Sequence, residues 1–223
     1  MRVWCALNQK GGVGKTSLLL MLLIVAWMRL GKVCLIDLDP QRSAENWWNH
    51  RSKKTDETEP VIDAGVASRL KEMLAAAEHK GVALSLVDTP GSLDRTMTRA
   101  AAEAHLIIVP TRTSEIDLQS LDDTLSFLQD IRADKKAVVV VNCLRANESI
   151  AGVEAVAARF GVPVAAISLR DRVAFSKALD EGRGISEKAA RSAAGKEIEA
   201  LFKWLQQREA AIIAAAAPRA STA

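Results

Sequence analysis

The sequence predicts an α/β fold, a mostly parallel sheet flanked by helices, and three observations carry that prediction. Short apolar runs alternate with helical segments along the whole chain, the pattern that winds into a parallel sheet with helices on its faces. Most of these runs are continuously apolar, as strands covered on both faces must be. A glycine-rich loop bearing two lysines, residues 10–17, joins the first run to the first helix.

Taken in order, residues 3–7 form the first strand, and no secretory-leader layout precedes them, which predicts a cytoplasmic protein. Residues 16–30 form a helix. Its apolar part, 18–30, falls short of the roughly 20 residues that a membrane span requires, so a helix buried on most sides is expected. Residues 33–37 are the second strand. Residues 42–60 are polar, carry Trp47 and Trp48, and read as an irregular excursion, helical at first and then loop. A helix follows at 66–79, strands at 84–88 and 106–110, and a helix at 118–131. A strand at 137–142, a helix at 150–160, a strand at 164–167 and helices at 173–179 and 189–214 complete the series. Residues 1–213 are expected to form a single domain, and the alanine-rich residues 214–223 a disordered tail. Right-handed crossovers put the loops at the strands' C-terminal ends along one edge, where ligands bind.

Bulk properties exclude little. Thirty Lys and Arg against 27 Asp and Glu give a net charge of +3, which permits a nucleic-acid partner without requiring one. Cys5, Cys34 and Cys143 are far apart, each in an apolar run that reads as a strand. They have no metal-ligand spacing and are expected as small buried hydrophobes in a reducing compartment.

The chemistry is concentrated after three strands. Gly11, Gly12, Val13, Gly14, Lys15, Thr16 and Ser17 lie between a strand and a helix, the context a phosphate-cradling loop needs. Glycines let backbone N–H groups approach phosphate oxygens, and the helix N-terminus adds partial positive charge. Lys15 would bridge the β- and γ-phosphates and Thr16 would offer its hydroxyl to Mg²⁺, so ATP with Mg²⁺, and its hydrolysis, are expected. The second and third strands end in Asp37-Leu-Asp39-Pro-Gln and Asp88-Thr-Pro-Gly. Carboxylates there face the crevice, so Thr16, Asp37 and Asp88 form the expected metal environment, and one carboxylate can orient the attacking water. Asp39 reads equally as a cap or turn residue.

Lys10–Ser17 resembles the deviant Walker A loop of the ParA/MinD group, with Lys10 as the additional lysine. Asp37–Gln41 and Asp88–Gly91 are similar to that group's two acidic motifs, and Val138–Asn142 to the strand whose terminal Asn recognises adenine. Arg172-Val-Ala-Phe and the following Ala-Leu-Asp-Glu-Gly-Arg-Gly-Ile resemble its weaker C-terminal signature. The chain looks like the short, ParF-type members that act in plasmid partition. That resemblance implies an ATP-bound homodimer in which Lys10 crosses to the partner's nucleotide, with Lys10, Lys15 and Asp37 as catalytic residues. It implies that Asp37 positions water, that Asp88 acts on Mg²⁺ through water, and that Asn142 meets adenine; read alone, Asn142 could equally be a turn residue. It further implies nonspecific DNA binding over the nucleoid, ended when a small centromere-binding or adaptor protein stimulates hydrolysis.

The expected DNA surface is the C-terminal half, with Arg145, Arg159, Arg170, Arg172, Lys177, Arg183, Lys188, Arg191 and Lys196 as candidates among acidic neighbours. Three other readings compete. A MinD-like membrane helix could use the stripe Ile198, Leu201, Phe202 and Leu205, although such a stripe more often packs on its own sheet. A small-molecule synthetase would need a further polar cluster, which the scattered His50, His79 and His105 do not form. A ParA-like ATPase that positions a protein cargo, such as a carboxysome or chemoreceptor cluster, would share the biochemistry of the partition protein.

Overall fold

The computed structural model describes residues 1–92 and 95–216. In chain order its elements are β1 (Arg2–Ala6), α1 (Lys15–Leu30), β2 (Val33–Asp37), α2 (Ser43–Thr55), β3 (Val61–Ala64), α3 (Leu70–His79), β4 (Leu84–Asp88) and α4 (Arg95–Glu103). There follow β5 (Leu106–Thr111), α5 (Glu115–Asp130), β6 (Ala137–Val141), α6 (Ala151–Arg159), α7 (Val173–Asp180), α8 (Ile185–Ala189) and α9 (Ala193–Ala216). The six strands pair in parallel in the order β3-β2-β4-β1-β5-β6.

Successive residues of a strand point to opposite faces, so each apolar run feeds two cores. Trp4 and Ala6 of β1 pack under α1 and α9, while Val3 and Cys5 pack under the layer that holds α3 to α6. This is why the strands read as continuous rather than alternating. Helix α1 is the most deeply covered helix stripe: Leu18 to Ala26 are all buried between the sheet and the helices outside it. Trp4 meets Phe202 of α9 with ring centroids 5.5 Å apart. Strand order reverses around β1, flanked by β4 and β5, and the crevice this creates lies at the C-terminal end of β1.

Several expectations are corrected. Residues 164–167 are not a strand: Pro163 precedes them, and Val164 makes a single bridge to Val139 while Arg170 makes another to Leu144. The segment thus bridges the outer edge of β6 at Val139 and the stretch just past β6 at Leu144, without forming a continuous strand. Strand β3 carries no apolar run of its own, having one buried residue in four, so it went unread. Helix α4 is short and polar, with only Met97, Ala100 and Ala101 buried. The expected helix at 66–79 begins as a 3₁₀ turn, Ala67–Arg69, before α3. The expected helix at 189–214 begins later, at Ala193, after the separate α8, and runs past 213 to Ala216. The first part of the expected tail is therefore helical, and 217–223 lie outside the described residues. Cys143 is not in a strand but just past β6, at φ 53 and partly exposed.

Candidate nucleotide-binding site

The loop between β1 and α1 has the backbone its sequence requires. Gly12 (φ 78) and Gly14 (φ 90) occupy the left-handed region that glycine enters at least cost, and Gly14 is the N-cap of α1. A Cβ at Gly14 would lie 2.3 Å from Asn142 Nδ2, and one at Gly91 would lie 3.0 Å from the Gly11 nitrogen. The segments that follow β6 and β4 therefore press closely on the loop at two glycines.

Lys15 is buried and folds back along the loop, donating to the carbonyls of Asn8 (3.0 Å) and Lys10 (3.2 Å). Burial pushes its ammonium pKa down, and the nearby Asp88 and Asp39 carboxylates oppose that. Thr16 Oγ1 donates to Asp88 Oδ2 at 2.6 Å. Asp88 is fully buried; burial raises its pKa to about 7 against the Thr16 hydrogen bond, with Asp37 adding like charge. A cation delivered beside this carboxyl would favour its ionised form. The hydroxyl of Thr16 and the carboxylate of Asp88 are hard oxygen donors that fit Mg²⁺. Among the described residues no group of three or more His, Cys, Asp and Glu side chains could hold a metal.

Asp37 and Asp88 are register partners on adjacent parallel strands. Asp37 accepts three backbone bonds: Oδ1 from Asp39 N (3.0 Å), and Oδ2 from Ala44 N (3.0 Å) and Glu45 N (3.2 Å). It thus anchors the N-terminus of α2, and burial raises its pKa despite these bonds. Asp39 accepts from Gln41 N (2.9 Å), the turn alternative expected of it.

Asn142, one residue past β6, donates to the Val13 carbonyl (2.9 Å) and accepts from Cys143 N (3.0 Å). One N–H and one lone pair of its amide stay free beside a cavity of about 420 Å³ that Ser17, Leu18, Leu169 and Arg170 also line. A second cavity, of about 440 Å³, opens next to Lys10, Gly11 and Gly12. Lys10 itself pairs with Asp117 of α5 at 2.5 Å.

Sequence reading missed Asn8 and Asp117. Asn8 is fully buried, donates to the Pro110 carbonyl (2.8 Å) and accepts from Lys10 N (2.8 Å) and Ser120 Oγ (2.8 Å). Its bond from Lys10 N is local, but the two partners that fix it against β5 and α5, Pro110 and Ser120, lie over 100 residues away. Ser114-x-x-Asp117 could have been read as a helix cap, but not as a partner of Lys10.

Four of the nine expected basic-surface residues form ion pairs within the chain. Arg172 pairs with Glu197 (2.6 Å), Arg159 with Asp122, Lys188 with Glu181, and Arg145 with Glu148 and Asp171 at 3.9 Å. Arg170 is exposed and donates to the Arg145 carbonyl (3.3 Å). Lys177, Arg183, Arg191 and Lys196 are exposed and make no ion pair among the described residues.

A family model described as CobQ/CobB/MinD/ParA nucleotide binding domain matches residues 4–185, spanning β1 to the start of α8. The chain belongs to this family. It is 30% identical over 190 residues to the maintenance of carboxysome distribution protein A of Halothiobacillus neapolitanus, covering 82% of this chain and 86% of that protein. To the chromosome-partitioning ATPase Soj of Thermus thermophilus it is 31% identical over 156 residues, 56% of this chain and 61% of Soj. A chain of the MinC:MinD cell division protein complex of Aquifex aeolicus superposes with a TM-score of 0.75 over 93% of this chain and 96% of its own, at 16% identity. That likeness shows a shared fold. The family's description is that of a nucleotide binding domain, and the crevice at the end of β1 is the candidate place for the nucleotide.

Proposed function

We propose that this ParA/MinD-type protein is an ATP-hydrolysing switch that dimerises on ATP, binds DNA without sequence preference and positions a cargo over it. The observation that carries the reading is Lys10. It stands at the entrance of the phosphate loop with 31% of its side chain exposed, beside the exposed Gly11 and Gly12. An ordinary phosphate loop already has its cation in Lys15. A second lysine on the open rim is placed to serve a nucleotide held by another copy, where its charge offsets charge developing in transfer.

In this reading the loop amides and Lys15 hold the β- and γ-phosphates, while Thr16 and Asp88 hold Mg²⁺. Bound Mg²⁺ would neutralise phosphate charge in the ground and transition states. Asp37 has one carboxylate lone pair left after its three backbone bonds, and it orients water with that. With three of its four carboxylate lone pairs held by backbone N–H groups, Asp37 serves to position water rather than to accept its proton, so intrinsic turnover is slow and a partner protein accelerates it. Asn142 offers its free N–H and lone pair to adenine.

The carboxysome-distribution relative, which shares 82% of this chain's length, favours a protein assembly as cargo beside the DNA-segregation reading that the Soj match supports. The membrane reading loses its main support. Ile198, Leu201, Phe202 and Leu205 are all buried in the core and offer no apolar face to a bilayer.

The test is a DNA mobility shift with ATP, with ADP and without nucleotide, at two salt concentrations. Binding with ATP alone that weakens steeply at the higher salt is expected. Binding that ignores nucleotide, or none at all, would overturn the DNA reading; ATP-dependent liposome binding in its place would restore the membrane one.

A further inference from the structure

In this chain Lys10 is not free to reach a second copy, because its own subunit holds it. Its ammonium lies 2.5 Å from Asp117 Oδ1. The Asp117 side chain is only 5% exposed, against 31% for Lys10. Ser114 fixes the carboxylate from the other side: its hydroxyl donates to Asp117 Oδ2 (2.5 Å) and accepts from Asp117 N (3.3 Å). Burial pushes the Asp117 carboxyl up, but the bonds from Lys10 and Ser114 outweigh it and hold the group below the usual carboxylate range. Asp117 is thus an ionised acceptor in a set orientation.

The contact belongs to a wider docking of the loop entrance onto α5. Ser120 donates to Asn8 Oδ1 (2.8 Å), Thr124 Oγ1 accepts from Gln9 N (3.3 Å), and Gln9 Nε2 donates to Asp123 Oδ2 (2.8 Å). Asp117, Ser120 and Thr124 are spaced three and four apart, so one face of α5 grips residues 8–10. Next to Lys10 is the open cavity of about 440 Å³, rimmed by Gly11, Gly12, Arg112 and Arg145. The side chain therefore has open space to swing into once it leaves Asp117.

We propose that Asp117 is the positioning residue that parks Lys10 on its own subunit, and that this contact sets how readily ATP drives dimerisation. The inference rests on the dimer reading above. To cross an interface, each copy's ammonium gives up a charge-assisted hydrogen bond to a buried carboxylate, which opposes association. Removing the carboxylate's charge leaves Lys10 present and takes away that opposition.

The experiment compares wild type, Asp117→Asn and Ser114→Ala as full-length proteins. In the nucleotide-free state, acylation of Lys10 is timed by peptide mass spectrometry. Sedimentation with ATP then gives the dimer dissociation constant. Asp117→Asn should label Lys10 several-fold faster and dimerise about tenfold more tightly, a change of about 1.4 kcal/mol. Ser114→Ala, which loses the cap but keeps the carboxylate, should label close to wild type. A merely structural role for Asp117 predicts weaker dimers from a damaged fold, the opposite sign. Equal labelling of wild type and Asp117→Asn overturns the parking contact, and unchanged or weaker dimerisation overturns its control of assembly. If wild type stays monomeric with ATP, the dimer reading fails, and the labelling rates separate that failure from failure of the contact.

Discussion

Gly14 is held in place by a side chain 128 residues away. Its φ of 90 is unfavourable for other residues, and an added Cβ would meet Asn142 Nδ2 at 2.3 Å. Gly14→Ala should therefore cost about 1–3 kcal/mol of stability. It should also weaken ATP binding at least tenfold, about 1.4 kcal/mol, as titration with a fluorescent ATP analogue would measure. A second residue-scale prediction concerns Asp117. Its carboxyl is held below the ordinary range in the fold, so the stabilisation it gives is complete above its unfolded value. That stabilisation is lost as pH falls through the lower folded value. The melting temperature of wild type should accordingly drop more steeply on acidification below about pH 4 than that of Asp117→Asn. Equal slopes would show that the carboxylate gains nothing from Lys10 and Ser114.

Among the elements, α2 shows how far local reading reaches. Its start was legible as helical, yet its role depends on Arg51, which nothing in the polar stretch around it singles out. Arg51 is buried between Trp27 and Trp47. It binds Glu187 of α8 through both terminal nitrogens (2.9 and 2.7 Å) and the carbonyls of Gly182 (2.8 Å) and Glu59 (3.2 Å). Gly182 is needed there, since a Cβ would come 2.8 Å from the Arg51 Cα. Trp47 adds a bond to the Leu179 carbonyl (2.9 Å), so α2, α7 and α8 are joined as one unit beside α1. Arg51→Ala should cost about 3–5 kcal/mol by leaving Glu187 and two carbonyls without their partner, read as a lower urea midpoint. The same unit is why α8 was not expected: its five residues carry no periodicity long enough to read.

For the molecule as a whole, the decisive quantity is which charges face outward unpaired. Net charge distinguishes nothing here, because Arg159, Arg172 and Lys188 are matched by carboxylates from other elements or turns. If the ATP form binds DNA, Lys177→Ala and Arg183→Ala should each weaken binding and reduce the salt-dependence slope by about one. Arg172→Ala should change it little. A uniform effect across all three would place the DNA surface elsewhere.

The sequence alone determined the sheet's central strands, the buried α1 and the phosphate loop. Each is written in contiguous residues: continuously apolar runs covered on both faces, a long apolar helix, and glycines before Lys15. It also placed Asp37 and Asp88 together, because parallel strands end on one edge. Tertiary structure alone decided what those groups touch. It gave Lys10 to Asp117, fixed Asn142 against Val13, and tied Arg159 to Asp122 and Arg172 to Glu197. The physical reason is separation along the chain: hydrogen bonds and charges act over a few ångströms, and these partners are brought that close only by the fold. The stretch 61–64 shows the same limit, since β3 is a strand chiefly because β2 supplies its hydrogen bonds.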